Sequence, residues 1–187
     1  MKNNEVVKAG VDALREGKTI LYPTDTIWGI GCDASDVGAI ERIYQIKQRP
    51  ETKSFIVLVD SVAMLERYVK EIPDVCYDLI DYAEQPLTII YDTPFNLPEK
   101  LFADDGSLGI RVTNDALCQQ LIRGLRRPIV STSANTSGNP SPTSYSTIES
   151  AITENVDFIL EDRIHETMTH PSSIIKIDAN QRVEVIR

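Results

Sequence analysis

Three pairs of polar residues stand two apart in segments that read as extended: Thr24 with Thr26, Lys47 with Arg49, and Ser133 with Asn135. Side chains alternate in direction along an extended backbone, so residues i and i+2 share a face and each pair can aim two groups at one ligand. Lys47 and Arg49 supply fixed positive charge, Ser133 and Asn135 supply neutral donors, and the threonine hydroxyls can donate or accept. Together they read as a polyanion site, and nucleotide chemistry is the leading reading. Each pair alone has a plainer use. Lys47 and Arg49 could cap the carbonyls at a helix C-terminus, Thr24 and Thr26 could satisfy loop backbone, and the Ser, Asn, Gly and Pro of residues 131–143 are turn formers.

The whole chain bounds what such a site can serve. Its 187 residues, 42% of them apolar, suffice for one sizeable core, and a single domain over residues 1–187 is expected, with two small lobes as the alternative. No apolar run approaches the roughly 18 to 20 residues that span a bilayer. The opening Met1-Lys2-Asn3-Asn4-Glu5 lacks the apolar stretch of a signal peptide, so a cytoplasmic location and no membrane partner are expected. Cys32, Cys76 and Cys118 are odd in number and far apart, which argues against a disulfide framework or a structural zinc and for buried thiols. The formal charge of −9 disfavours a protein that grips a nucleic-acid backbone by bulk charge. A small anion needs only a local cluster of cations. His165 and His170 flank an acidic and polar stretch and read as surface residues.

The elements that must position the pairs follow from periodicity. Val6, Val7, Val11 and Leu14 recur at helical spacing before Gly17, and residues 19–22 read as a buried strand running into Pro23. Val37, Ile40, Ile43 and Tyr44 predict a helix capped by Asp36 or Ser35, with Pro50 forcing the chain out of helix by about Arg49. Strands are expected at residues 55–59, 87–91, 108–112, 128–131, 157–160, 173–177 and 183–186. Helices are expected over residues 62–69 and 75–83, from a cap at Asn114 to about Arg123, and near Ile148. Interleaved helices and strands with short C-terminal links imply an α+β chain: a twisted sheet of mixed parallel and antiparallel strands with helices packed on it.

Read in order, four blocks resemble one family. Leu21-Tyr22-Pro23-Thr24-Asp25-Thr26-Ile27-Trp28-Gly29-Ile30-Gly31-Cys32-Asp33-Ala34, Lys47-Gln48-Arg49-Pro50, Gly109-Ile110-Arg111-Val112, and the run from Ser131-Thr132-Ser133-Ala134-Asn135 to Pro142-Thr143 are similar to the signature blocks of the YrdC-type threonylcarbamoyl-AMP synthases. With the stretch Ser172-Ser173-Ile174-Ile175 and the final Arg187, the resemblance covers nearly the whole chain. It implies a YrdC/RibB-like fold in the short, single-domain form. It also implies an enzyme that condenses L-threonine, bicarbonate and ATP into threonylcarbamoyl-adenylate with release of pyrophosphate. A separate transferase complex would then modify tRNA, with weak or no direct tRNA binding by this chain.

Carried over residue by residue, the resemblance assigns Lys47, Arg49, Ser133 and Asn135 to catalysis at the ATP phosphates. It assigns Lys53, Ser141 and Arg187 to further nucleotide contacts. Thr24, Thr26, Arg111, Ser131 and Ser172 would bind L-threonine, the arginine forking its carboxylate. Magnesium would arrive with ATP, held by phosphate oxygens and water rather than a carboxylate cage. Displacement at phosphorus needs positioning and charge stabilisation more than a protein nucleophile, and the sequence offers no convincing nucleophile.

The pattern also departs from the family. Trp28 replaces a usual tyrosine and reads as a packing residue, Glu84-Gln85-Pro86-Leu87-Thr88 departs from a Pro-Gly-Pro-x-Thr block, Thr113 replaces a common proline, and Leu58 stands where one branch uses histidine. Two rival functions follow. One is a non-catalytic nucleotide- or RNA-binding paralogue of the same fold. The other is a carbamoyl-transfer enzyme, against which stand the chain's length and its want of a cysteine array.

Overall fold

A mixed sheet of nine strands carries the polar residues named above. The computed structural model describes residues 3–50, 54–168, 170–177 and 181–187. Helix α1 (Asn3–Arg15) leads into β1 (Ile20–Tyr22), which turns back as β2 (Gly29–Gly31) before α2 (Val37–Lys47). Strand β3 (Ile56–Val59), the short α3 (Val62–Leu65) and α4 (Asp74–Tyr82) precede an antiparallel pair, β4 (Leu87–Tyr91) and β5 (Leu108–Val112). Then come α5 (Ala116–Leu125), β6 (Ile129–Ser133), a single turn α6 (Ser150–Thr153), and strands β7 (Phe158–Ile159), β8 (Ser173–Ile177) and β9 (Val183–Val185).

The order across the sheet is β7-β1-β2-β6-β3-β5-β4-β8-β9. Pairs β1–β7, β3–β5 and β4–β8 are parallel and the rest antiparallel, the mixed arrangement expected. Helices α1 and α5 pack together, and the core runs from Leu14, Ile20 and Leu21 through Ile40 and Ile43 to Leu121 and Ile122. Asp36 caps α2 by accepting from Ala39 N at 3.0 Å. Asp115, not Asn114 as expected, caps α5, accepting from Cys118 N at 2.9 Å.

Strand β2 escapes local reading because two of its three residues are glycines, which weaken a strand in isolation. Its neighbours explain them. A Cβ on Gly31 would stand 2.5 Å from Val130 O and 2.8 Å from Tyr22 Cε1, so β2 fits between the Tyr22 ring and β6 only without a side chain there.

The end of α2 also differs from expectation. Gln48 adopts the left-handed region at φ 49°, its N–H bonding Gln45 O at 3.1 Å while Arg49 N bonds Tyr44 O at 3.0 Å. This αL turn stops the helix before Pro50 can. Lys47 is therefore a helical residue, and Lys47 and Arg49 do not share the face of an extended segment. The Lys47 side chain is 1% exposed. Its Nζ donates to the carbonyls of Ser133 and, at 2.7 Å, Asn135, while Ser137 N donates to Lys47 O at 2.8 Å. One lysine nitrogen thus ties the exit of α2 to the exit of β6.

Burial, aided by the nearby Arg49 guanidinium, lowers the Lys47 pKa from 10.5 to about 7. Between those values the unfolded chain keeps a proton that the folded one has released, so this group adds stability as pH rises from about 7 to 10.5. Urea unfolding from pH 7 to pH 9 is accordingly expected to show a rise in unfolding free energy about 2 kcal/mol larger in the native protein than in Lys47→Met; equal slopes would refute this account of Lys47. Gly31→Ala is expected to lower the unfolding free energy by about 3 kcal/mol, the upper end of overpacking costs, read from the urea midpoint.

Candidate functional site

Alternate residues of four adjacent strands line one cavity of about 470 Å³. Ile56 lies opposite Gly109, Gly109 opposite Ile90, and Ile90 opposite Lys176, forming one row across β3, β5, β4 and β8. Arg111, two residues beyond Gly109 on the same face, belongs to the next row with Thr88 and Ile174. Asp105 and Ser107 stand at the lip, Asp105 pairing with Lys176 at 2.9 Å. Hydrogen bonds from Ser107 and Lys176 hold its carboxyl far below the usual carboxylate range.

Arg111 is 4% exposed. Its Nη2 lies 3.2 Å from Asp25 Oδ1 and its Nη1 donates to Thr26 Oγ1 at 3.4 Å. Among the described residues its Nε is buried without a hydrogen-bond partner, which is uncommon for a donor inside a folded protein. Burial raises the Asp25 pKa, outweighing the opposing pull of Arg111.

Thr24 Oγ1 donates to Ile27 O at 2.7 Å and accepts from the N–H groups of Thr26 and Ile27 at 3.1 and 3.2 Å. Residues 24–27 are thus a hydroxyl-bonded turn, not the extended segment expected. The Thr24 hydroxyl is committed to that turn, and the Thr26 hydroxyl, 2.9 Å from it, accepts from Arg111. Both threonines line the cavity.

Two residues that place this turn were not legible from sequence. Arg163 forks Asp115 at 2.8 and 3.3 Å and donates to Pro23 O and Thr24 O at 3.2 and 3.4 Å. Asp115 and Arg163 are separated by 48 positions, and the local role of Asp115 as a helix cap says nothing of this pairing.

The third wall comes from the exit of β6 and from both cationic ends. Ser131 and Ser133 face the cavity, joined by Ser141. Arg49 lines it as well, its Nη2 donating to Ser54 O at 2.7 Å and its guanidinium standing 5.2 Å from the Phe55 ring centroid; burial lowers its pKa. Arg187 enters beside β8, its Nε and Nη2 donating to Ser172 O at 3.3 and 3.1 Å. Ser172 Oγ and Thr88 Oγ1 share a hydrogen bond of 2.9 Å.

Not every expected residue reaches this cavity. Lys47 is turned onto the Ser133 and Asn135 carbonyls, behind the wall. Asn135 N donates to Ser133 O at 2.9 Å, so the chain turns after Ser133 and the pair does not share one face. The Asn135 Nδ2 donates to Thr136 O and Asn139 O at 2.9 and 2.7 Å, beside a separate recess that includes Glu149. Lys53 lies outside the described residues. Trp28 is fully buried, its ring 5.2 Å from that of Tyr145, and neither histidine lines the cavity. Cys32, Cys76 and Cys118 are buried away from it, their thiol pKa values pushed up by burial. The arrangement can orient and neutralise anions, and among the described residues it brings no activated nucleophile to them.

Comparisons with known proteins give the family and agree with the fold. The Sua5/YciO/YrdC family model, described as "Telomere recombination", matches residues 12–187. A threonylcarbamoyl-AMP synthase of Pseudoalteromonas translucida is 32% identical over 177 residues, 93% of this chain and 94% of its own. One from Escherichia coli K12 is 34% identical over 146 residues, 75% of this chain and 77% of its own. A structure of P. abyssi Sua5 complexed with L-threonine superposes with a TM-score of 0.89 at 27% identity, all of this chain covering 54% of that longer one. E. coli YciO gives 0.84 at 25% identity, covering 89% of that chain. The chain belongs to the Sua5/YciO/YrdC family.

Proposed function

We propose that the protein is an L-threonylcarbamoyladenylate synthase, a transferase-type enzyme whose product serves threonylcarbamoyladenosine formation in tRNA. The observation that carries this reading is the convergence of Arg49, Arg111 and Arg187 with serine and threonine hydroxyls on one cavity. The buried Arg111 guanidinium in the cavity wall suits the carboxylate of an amino acid. The two other guanidiniums suit phosphates.

In the proposed reaction the threonine amine captures carbon dioxide from bicarbonate, giving a carbamate. A carbamate oxygen attacks the α-phosphorus of ATP, the new P–O bond forming as the bond to pyrophosphate breaks. Arg111 and Thr26 would hold the amino acid, with Ser131 and Ser172 alongside. Arg49, Arg187, Ser133 and Ser141 would orient the phosphates and stabilise charge as it develops. Lys47 and Asn135 would act on these groups through the backbone they hold.

Among the described residues no three His, Cys, Asp or Glu stand together as a metal cage. The hydroxyls and guanidiniums around the cavity fit magnesium carried in on phosphate oxygens and water, where it would neutralise phosphate charge. The net charge of −9 favours a diffusible adenylate passed to a transferase complex over direct tRNA binding.

Purified protein incubated with ATP, magnesium, bicarbonate and L-threonine is expected to release pyrophosphate only when threonine is present. Threonine-independent release, or none, would favour the carbamoyl-transfer or the non-catalytic reading. Arg49→Ala is expected to lower kcat/KM for ATP by about 10- to 150-fold, as the loss of a charge-assisted hydrogen bond of roughly 1.5–3 kcal/mol implies. Lys47→Ala is expected to lower both turnover and the thermal midpoint, because it cuts a clamp of the fold.

A further inference from the structure

Among the described residues, Gln48, Asn96, Arg126, Arg163 and Gln181 hold positive φ without being glycine. All but one have a local reason. Gln48 and Arg126 close α2 and α5 in the left-handed turn that ends helices. Asn96 carries a side chain that tolerates this region, and Gln181 lies in the link between the paired strands β8 and β9. Arg163, at φ 47°, closes no helix and joins no hairpin, because β7 and β8, the strands on either side of it, are not neighbours in the sheet. A residue with a Cβ is strained there and glycine would not be. Strain kept at such a position points to the side chain that it carries.

That side chain joins two distant parts of the fold. Its Nη1 and Nη2 fork Asp115 at 2.8 and 3.3 Å, while Nη2 also donates to Pro23 O at 3.2 Å and Nη1 to Thr24 O at 3.4 Å. The Asp115 side chain, 7% exposed, caps α5, which packs on α1. The guanidinium is thus anchored to a rigid element on one side and holds the start of the turn at residues 24–27 on the other. Within that turn Thr26 Oγ1 accepts from Arg111 at 3.4 Å, and Asp25 Oδ1 lies 3.2 Å from Arg111 Nη2. Thr26 and Arg111 line the cavity; Arg163 does not.

We propose that Arg163 is a positioning residue for the amino-acid substrate: by fixing Pro23 and Thr24 against the capped start of α5, it sets where Thr26 and Arg111 stand in the cavity wall. The inference rests on the reading of those two residues as the threonine grip. Without the guanidinium two main-chain carbonyls and a largely buried carboxylate lose a donor, and the turn gains freedom to move away from Arg111. The nucleotide side of the cavity is held by other contacts, those of Lys47 with the exit of β6 and of Arg187 with Ser172 O. Loosening the turn therefore weakens the hold on threonine and leaves the hold on ATP.

The experiment measures initial rates of pyrophosphate release over ranges of L-threonine and of ATP, for the native protein and Arg163→Gly, well below the thermal midpoint of either. Glycine removes the side chain and relieves the backbone at once. The expected result is a rise of at least tenfold in the KM for L-threonine with that for ATP within about twofold of native, since a misplacement near 1 Å is enough to cost about 100-fold. Equal rises in both KM values, as a general loosening of the fold would give, overturn the proposal. So does an unchanged KM for threonine, whatever happens to the thermal midpoint.

Should Arg163→Gly not fold, Asp115→Asn keeps a helix cap but takes away the charge that anchors the guanidinium. It is expected to raise the KM for threonine several-fold with that for ATP unmoved, and an unchanged KM for threonine there is equally fatal. Absence of threonine-dependent release by the native protein overturns the underlying reading and this inference with it, whereas a threonine-dependent native enzyme with an indifferent variant overturns only the role of Arg163.

Discussion

A lysine nitrogen buried between two main-chain carbonyls holds the site together. Lys47 closes a helix, and its Nζ reaches the Ser133 and Asn135 carbonyls just where β6 leaves the sheet. Removing such a cation from water is costly, and its pKa falls as a result. The two carbonyls offset part of that cost, and together with the Ser137 N–H bound to Lys47 O they fix two chain exits against each other. Ser131 and Ser133 face the cavity from one exit and Arg49 from the other, so their spacing depends on this clamp. The residue that the Lys-x-Arg pattern marks as a direct phosphate ligand is thereby a member of the frame.

Around this frame the protein separates local charge from global charge. The chain is strongly acidic, yet three guanidiniums open on one cavity. Their acidic companions are themselves engaged: Asp25 pairs with Arg111 through Nη2, and Asp105 is occupied by Ser107 and Lys176 at the lip. Short-range pairing can thus leave a cationic hollow in an anionic molecule, because screening confines most surface charge to within about 10 Å. Such an arrangement admits small anions without recruiting nucleic acid by bulk charge.

The sheet makes the hollow possible. Period-two alternation turns Ile56, Gly109, Ile90, Thr88 and Arg111 to one face, and the hydroxyl-bonded turn at residues 24–27 folds over it. Arg163 secures that turn through Asp115, the same carboxylate that caps α5. A single side chain therefore couples a helix start, a loop and the cavity wall, and no peptide segment alone contains that coupling.

Strands β4, β5 and β8 coincide with apolar runs because burial on a sheet writes itself into side-chain type. The charge, the want of an exposed thiol and the ordered motif blocks were equally legible, since each is carried by residue identity. Three things were not. Strand β2, with its two glycines, exists because β1 and β6 pair with it. The turns at Thr24, Gln48 and Asn135 broke the expectation that residues two apart share a face, because local hydrogen bonds reversed the chain there. Sequence alone determined which chemical groups this protein owns and the regular elements that bear most of them. Tertiary structure decided which of those groups meet the cavity and which hold its wall, because direction depends on turns and on partners distant along the chain.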